Sequence, residues 1–245
     1  RVEKIDFAYE DKDKIEINEN SKLNDKLKSN NSLIDLNSAF TNKSYKILVK
    51  ENYSFNKPLI VYHISNNKIK FKNINLRLEF ELKQNSSLRL IDFFNDTSEK
   101  NFINIFYNFD LKKDSILKNY KIDKTQNNNI KYSFNNINQD ENTVSESFIL
   151  SSGSNFLKNE INCNLNGKYS SAFVNGIFSL MNNQQHEIRT TINHLTDNTK
   201  SYQLIKSVLG KESKAVYQGK IFVNPIAQKT GQLLLQTIPF RLRLS

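Results

Sequence analysis

Cys163, His186 and His194 are the residues whose types could ligate a metal or supply a nucleophile. If "HEIRTTINHL" is a strand, both histidines fall on the face that also carries Ile188 and Ile192. Eight residues of strand at roughly 3.3 Å each separate them by about 26 Å. A zinc ion sits about 2 Å from each ligand. One straight strand therefore cannot bring the two histidines to one ion, and a half-buried, hydrogen-bonded histidine is the expectation for each. Cys163 falls on the apolar side of its strand, with no Lys, Arg or His beside it in sequence to lower its pKa. It reads as a small buried hydrophobe.

Other chemistry lacks its pattern. No phosphate loop of the form GxxxxGK[ST], no GxGxxG, no HExxH and no GxSxG occurs. Acidic residues fall singly along turns, without the clustered Asp of a calcium-dependent polysaccharide lyase. Lys68, Lys70 and Lys72 alternate with Ile69 and Phe71, which reads as a solvated edge whose lysines discourage edge pairing. The aromatics lie mainly on apolar strand faces and read as core, not as stacking platforms for bases.

The elements that would position these residues are strands. Ile74, Leu76, Leu78, Phe80 and Leu82 alternate with Asn75, Arg77, Glu79 and Glu81, a period of two with one dry and one wet face. The rhythm returns at Ile103, Ile105, Tyr107, Phe109 and Leu111, and again at Leu157, Ile161, Cys163 and Leu165. Tyr45–Val49 and Leu59–Ile64 read as strands, and polar turns fall at 83–86, 112–114, 124–129 and 182–185. "NSLIDLNSAF" (31–40) reads as a short helix with Asn31 or Ser32 at its N-cap. Tyr202–Leu209 has helix-like apolar spacing in a short, β-branched stretch. Asn-Gly, the tight-turn pair of hairpins, occurs only at Asn166-Gly167 and Asn175-Gly176 in a chain with six glycines and three prolines. A parallel coil needs bends instead of reversals, and asparagines can stack there in ladders. The rung period is irregular, so spacing alone leaves a sandwich open as the alternative.

The totals set bounds. The 245 residues are 38% hydrophobic, enough for a sizeable core, and no apolar run reaches the roughly 18–20 residues of a membrane span. The chain starts at Arg1 and its one methionine is Met181, so a fragment is expected. One cysteine excludes an internal disulfide. The net charge of +10 raises nucleic acid as a partner, but it comes mostly from lysine and accompanies 37 asparagines. Lysine and asparagine in joint excess follow from an AT-rich coding sequence, and a solvated basic surface is the expectation.

"YQGKIFVNPIAQKT" (217–230) resembles the signature near the end of the β-helix in the SufB/SufD family of iron–sulfur cluster assembly proteins, a Gly-Lys-Ile-x-Val strand followed by Ala-Gln-Lys-Thr. "NEINCNLNGKYSSAFVNGIF" (159–178), "QHEIRTTINHLTDNTKSYQLIKSVL" (185–209) and "LNSAFTNKSYKILVKENYSFNKPLIVYHIS" (36–65) are similar to earlier stretches of that family in order and spacing. The chain is most like SufD, being short and without the additional cysteine-bearing rungs of SufB. The resemblance implies an all-β fold, a right-handed single-stranded parallel β-helix over 32–230. Residues 1–31 would be a polar linker or remnant, and 231–245 an atypical, truncated tail. It implies a non-catalytic scaffold subunit of a SufBCD complex, with a SufB-like subunit and a SufC-like ATPase as partners, in the bacterial cytoplasm or in plastids. No cofactor is expected on this chain alone; an Fe–S cluster belongs to the full complex. The family's Cys-x-His-Gly segment and its terminal helices are absent here, so no cluster-site residue carries over. Gln228, Lys229 and Thr230 are expected to close the last rung or to face the partner. A polysaccharide-binding or lyase-type β-helix and a basic nucleic-acid-binding domain are the alternatives.

Overall fold

A computed structural model describes residues 9–20, 31–65, 68–124, 127–236 and 240–242. Strands β1 (Ile15–Asn20), β2 (Ser44–Val49), β4 (Asn73–Leu82), β6 (Phe102–Leu111), β8 (Ile130–Gln139), β10 (Phe156–Leu165), β12 (Gln185–His194) and β14 (Lys214–Val223) form one sheet in that order. Strands β3 (Leu59–Ser65), β5 (Ser87–Asp96), β7 (Ile116–Asp123), β9 (Val144–Ser151), β11 (Ser171–Leu180), β13 (Lys200–Gly210) and β15 (Gly231–Gln236) form the other, and β16 (Phe240–Leu242) also pairs with β13. The chain alternates between sheets, and every pairing is parallel except β1 with β2. The result is a parallel β-helix of about six turns, as the resemblance implied, and not the sandwich that spacing alone left open.

Period-two patterning makes this coil close. Leu78, Phe80 and Leu82 from β4 and Leu88, Leu90 and Phe94 from β5 all point inward and are buried. Phe80 stacks on Phe109 one turn later, with ring centroids 5.0 Å apart. The turn length explains why no repeat is visible in the sequence. In register, Asn136 to Asn162 takes 26 residues, whereas Asn162 to Thr191 takes 29. The bends absorb the difference and the strands stay in register.

The bends also explain how the coil manages with so few glycines. Most of them use a residue with positive φ, and among the described residues none of these is glycine. Asn52, Asn85, Asp114, Asn142, Tyr169, Asn198 and Lys229 take it, with φ between 49° and 65° across all such residues of the chain. Asn and Asp tolerate the left-handed region because their short side chains bond locally. Here they also bond to the next turn: Asn85 Nδ2 donates to Asn52 Oδ1 at 2.8 Å, and Asn142 Nδ2 to Asp114 Oδ1 at 2.7 Å. A second ladder, which sequence spacing did not place, runs along the wet face of the first sheet. Asn136 donates to Asn108, Asn162 to Asn136 and Asn193 to Asn162, at 2.9–3.0 Å.

The helix α1 (Ser32–Phe40) lies outside the first sheet, its N-cap Asn31 accepting from the Leu33 N–H. Asn37 is buried and donates to the carbonyls of Leu76 and Asn104, while Asn104 donates back to the Leu33 carbonyl. Four stretches gain definition in the structure. Tyr202–Leu209 is part of strand β13, because Ser201, Gln203 and Ile205 alternate inward. Neither Asn-Gly pair is a hairpin: Gly176 lies mid-strand in β11 facing the core, and Gly167 sits in a bend. Within 1–31, read as linker, Lys12–Lys14 form a 3-10 turn and Ile15–Asn20 caps the first sheet as β1; residues 1–8 and 21–30 lie outside the described residues. The tail from Gly231 begins as β15, another parallel strand of the coil; residues 237–239 and 243–245 are outside the description.

Candidate functional site

The dry interior holds charges that the alternation alone would not place there. Asp92 and Lys121 are neighbours in register on β5 and β7. Both point inward, and Asp92 is wholly buried. His63 Nε2 lies 2.5 Å from Asp92 Oδ1, and the Tyr107 hydroxyl, reaching across from the first sheet, donates to Asp92 Oδ2 at 2.5 Å. Lys121 Nζ lies 3.7 Å from the same carboxylate, donates to Ser133 Oγ at 2.5 Å, and sits 4.2 Å from the centre of the Tyr107 ring. Burial by itself would raise the Asp92 carboxyl. The charges of His63 and Lys121 and the Tyr107 hydroxyl outweigh it and hold the group below the ordinary range. Burial pulls Lys121 down to about 8, against the two carboxylates nearby, which act to raise it.

A second interior group follows one turn on. Lys131 Nζ lies 3.3 Å from Asp123 Oδ2, to which Ser154 Oγ also donates at 3.2 Å. His186 is buried against them, with Nδ1 at 2.8 Å from Ser151 Oγ and Nε2 at 2.7 Å from the Ser154 carbonyl. Burial lowers the His186 pKa, against the carbonyl, which raises it. Between the two groups lies a cavity of about 10 Å³, room for about one water, bordered by Lys131, Ser133 and Asn159. Each lysine here has a carboxylate and each carboxylate a cation, while the buried Asn159 amide at the cavity has no hydrogen-bond partner in the protein.

Cys163, His186 and His194 are all buried, more fully than expected for the histidines, and the fold does not gather them. In register His186 lies beside Leu157, His194 beside Leu165 and Cys163 beside Ile192. His194 bonds Thr199 and Ser201 at 2.6 and 3.0 Å, and burial lowers its pKa. Among the described residues no three His, Cys, Asp or Glu side chains are grouped to hold a metal. Burial pushes the Cys163 thiol up to about 12, against the Ser145 contact, which lowers it. Folded protein at pH 8 is accordingly expected to resist a thiol-reactive disulfide reagent, and to react with one equivalent in denaturant; rapid labelling of the folded chain would contradict this burial.

The end of the coil is different. Among the described residues β14 and β15 are the last strands of their sheets, each paired on one edge. Ile188 and Ile192 on β12 are fully buried, whereas Tyr217 and Ile221, their register partners on β14, are only half-buried, with no further strand against β14 among the described residues. Val216, Phe222, Val223, Ile226 and Leu233–Leu235 are exposed around this end, Ile226 at 72%. Ala227–Thr230 forms the bend between β14 and β15. Ala227 is buried and donates to the Asn224 carbonyl at 2.8 Å, the Gln228 carbonyl accepts from the Asn198 N–H at 3.0 Å, and Lys229 takes the left-handed position. Thr230 is half-buried, while the Gln228 and Lys229 side chains are exposed. The sequence reading singled out Gln228, Lys229 and Thr230 and not the seven exposed apolar residues near them. The Leu233–Leu235 run was the available signal, since consecutive leucines on a strand cannot all face one core.

A family model described as "SUF system FeS cluster assembly, SufBD core domain" matches residues 62–234. No curated protein matches the chain in a sequence search.

Proposed function

Since this chain belongs to the SufBD core-domain family of the SUF iron–sulfur cluster assembly system, we propose that it is a SufD-like scaffold. Its task is to pair through the open end of its β-helix with a SufB-like subunit and, in that complex, to support a SufC-like ATPase. It performs no catalysis of its own, works in the cytoplasm, and meets the Fe–S cluster as the product of the assembly. The observation that carries this reading is the region of β14 and β15, where among the described residues each strand is paired on one edge and a rim of apolar side chains is exposed. Unpaired strand edges of this kind recruit a further strand. The buried, protonated Cys163 supports a scaffold over a sulfur-handling subunit.

Co-purification of the tagged chain with SufB-like and SufC-like proteins tests the reading. Replacing Phe222 and Ile226 by Asp is expected to lower SufB-like retention at least about tenfold, because charges would be buried against a partner strand. A Gln228, Lys229 and Thr230 triple alanine variant tests whether the bend itself faces the partner. Full retention by the Phe222 and Ile226 variant, with a normal circular dichroism spectrum, would move the interface elsewhere.

A further inference from the structure

An amide buried in a core is costly unless something bonds it. Asn159, midway along β10, is wholly buried, and neither its Oδ1 nor its Nδ2 meets a partner in the protein. Four other buried side-chain atoms among the described residues share that state: Asn75 Oδ1, Ser115 Oγ, Asn119 Oδ1 and Gln203 Nε2. Asn159 is thus the one amide there with both ends unpaired. None of the other four residues borders the interior cavity, whereas Asn159 does.

The register explains what surrounds this amide. Ser133 on β8 is the partner of Asn159 on β10, and both point inward. Lys121 reaches Ser133 from β7 and donates to its Oγ at 2.5 Å, which leaves the Ser133 hydroxyl proton for another acceptor. Lys131 lies two residues before Ser133 on the same inward face and brings its ion pair with Asp123 to the cavity. Apolar side chains, Phe94 and Leu157 among them, complete the wall. The volume of about 10 Å³ has room for about one water and for no larger molecule. An apolar void of this size would stay dry, but this wall offers an unpaired amide, a hydroxyl proton and two ammonium groups.

We propose that the cavity is a binding site for a single buried water, anchored by the Asn159 amide, with the Ser133 hydroxyl and the Lys131 ammonium as its further partners. The water then joins the two interior charge groups. Lys121 bonds Ser133, Ser133 bonds the water, and the water bonds Asn159 and the Lys131–Asp123 pair, so that β7, β8 and β10 are tied through the core. Water suits this wall better than an ion does. Asn159 presents an acceptor as well as a donor, and a halide can use only the donor. Both lysines already face carboxylates, at 3.7 Å for Lys121 and 3.3 Å for Lys131, so an anion finds no uncompensated charge. A metal cation would meet two ammonium groups. The site lies inside the coil, and its fate leaves the scaffold reading untouched.

High-resolution diffraction from crystals of the full chain, grown with bromide as the halide, tests the site directly. One peak in the cavity within hydrogen-bond distance of the Asn159 amide is expected, with no anomalous signal from bromide. An empty cavity, or a bromide peak in it, overturns the proposal. Magnetic relaxation dispersion of the water oxygen gives the count of long-lived buried waters in solution. Asn159→Leu branches as asparagine does and carries no polar atom, so the folded variant should hold one fewer long-lived water than wild type. An equal count in wild type and the folded variant also overturns the proposal. Should Asn159→Leu fail to fold, the wild-type diffraction decides alone.

Discussion

Asp92→Ala is expected to cost about 3–5 kcal/mol of unfolding free energy, the cost of removing one partner from a buried ion network. Asp92 is wholly buried and is the common acceptor for His63, Tyr107 and Lys121. Without it, Lys121 must lose its proton or remain charged with no anion in contact, and the Tyr107 hydroxyl loses its acceptor. Urea titration near pH 7 measures the loss. A pH series supplies a second check. The Asp92 carboxyl is held below its ordinary value in the native state, so its contribution is fully present above about pH 4 and fades as pH falls through the lowered native value. The difference between wild type and variant should narrow in the same window. A variant within about 0.5 kcal/mol of wild type at pH 7 would show that the network contributes little.

Gly167→Ala should be nearly as damaging, at about 3 kcal/mol, toward the upper end of what overpacking costs. The reason is contact, since Gly167 has no positive φ and the left-handed residue of its bend is Tyr169. A Cβ at Gly167 would stand 2.0 Å from the Glu141 nitrogen and 2.3 Å from the Asp140 carbonyl carbon. Both are backbone atoms of the preceding turn, which a rotamer change cannot move. The Asn142 N–H, donating to the Lys168 carbonyl at 2.8 Å, ties the two turns at this point, so relief would strain the ladder on either side. By contrast, Gly231→Ala meets only the Lys200 side chain, at 3.8 Å, and is expected to be tolerated. Chemical denaturation of the two variants side by side distinguishes the cases; equal stability would mean that the bend relaxes freely.

Much of this molecule is written in local pattern. Period-two alternation from Ile74 to Leu82 and from Ile103 to Leu111 determines strands with one buried face, because successive side chains on a strand point to opposite sides. Asn31 before an apolar stretch determines where α1 begins, because its side chain can satisfy an otherwise unpaired N–H. The Ala227–Thr230 segment falls in the bend between β14 and β15. What alternation cannot carry is which strand lies beside which, and so which inward residues meet. Asp92 and Lys121 lie 29 residues apart, and His63 and Tyr107 are 44 apart. Each reads alone as a charge or polar group on a dry face, and only the stacking of turns makes the four a network. The same stacking kept Cys163, His186 and His194 apart and set six wet-face lysines, Lys46 and Lys118 among them, beside carboxylates of the following turn. Local spacing decides which way a side chain points. The partners it finds depend on turn length, and here the bends vary that length from one turn to the next.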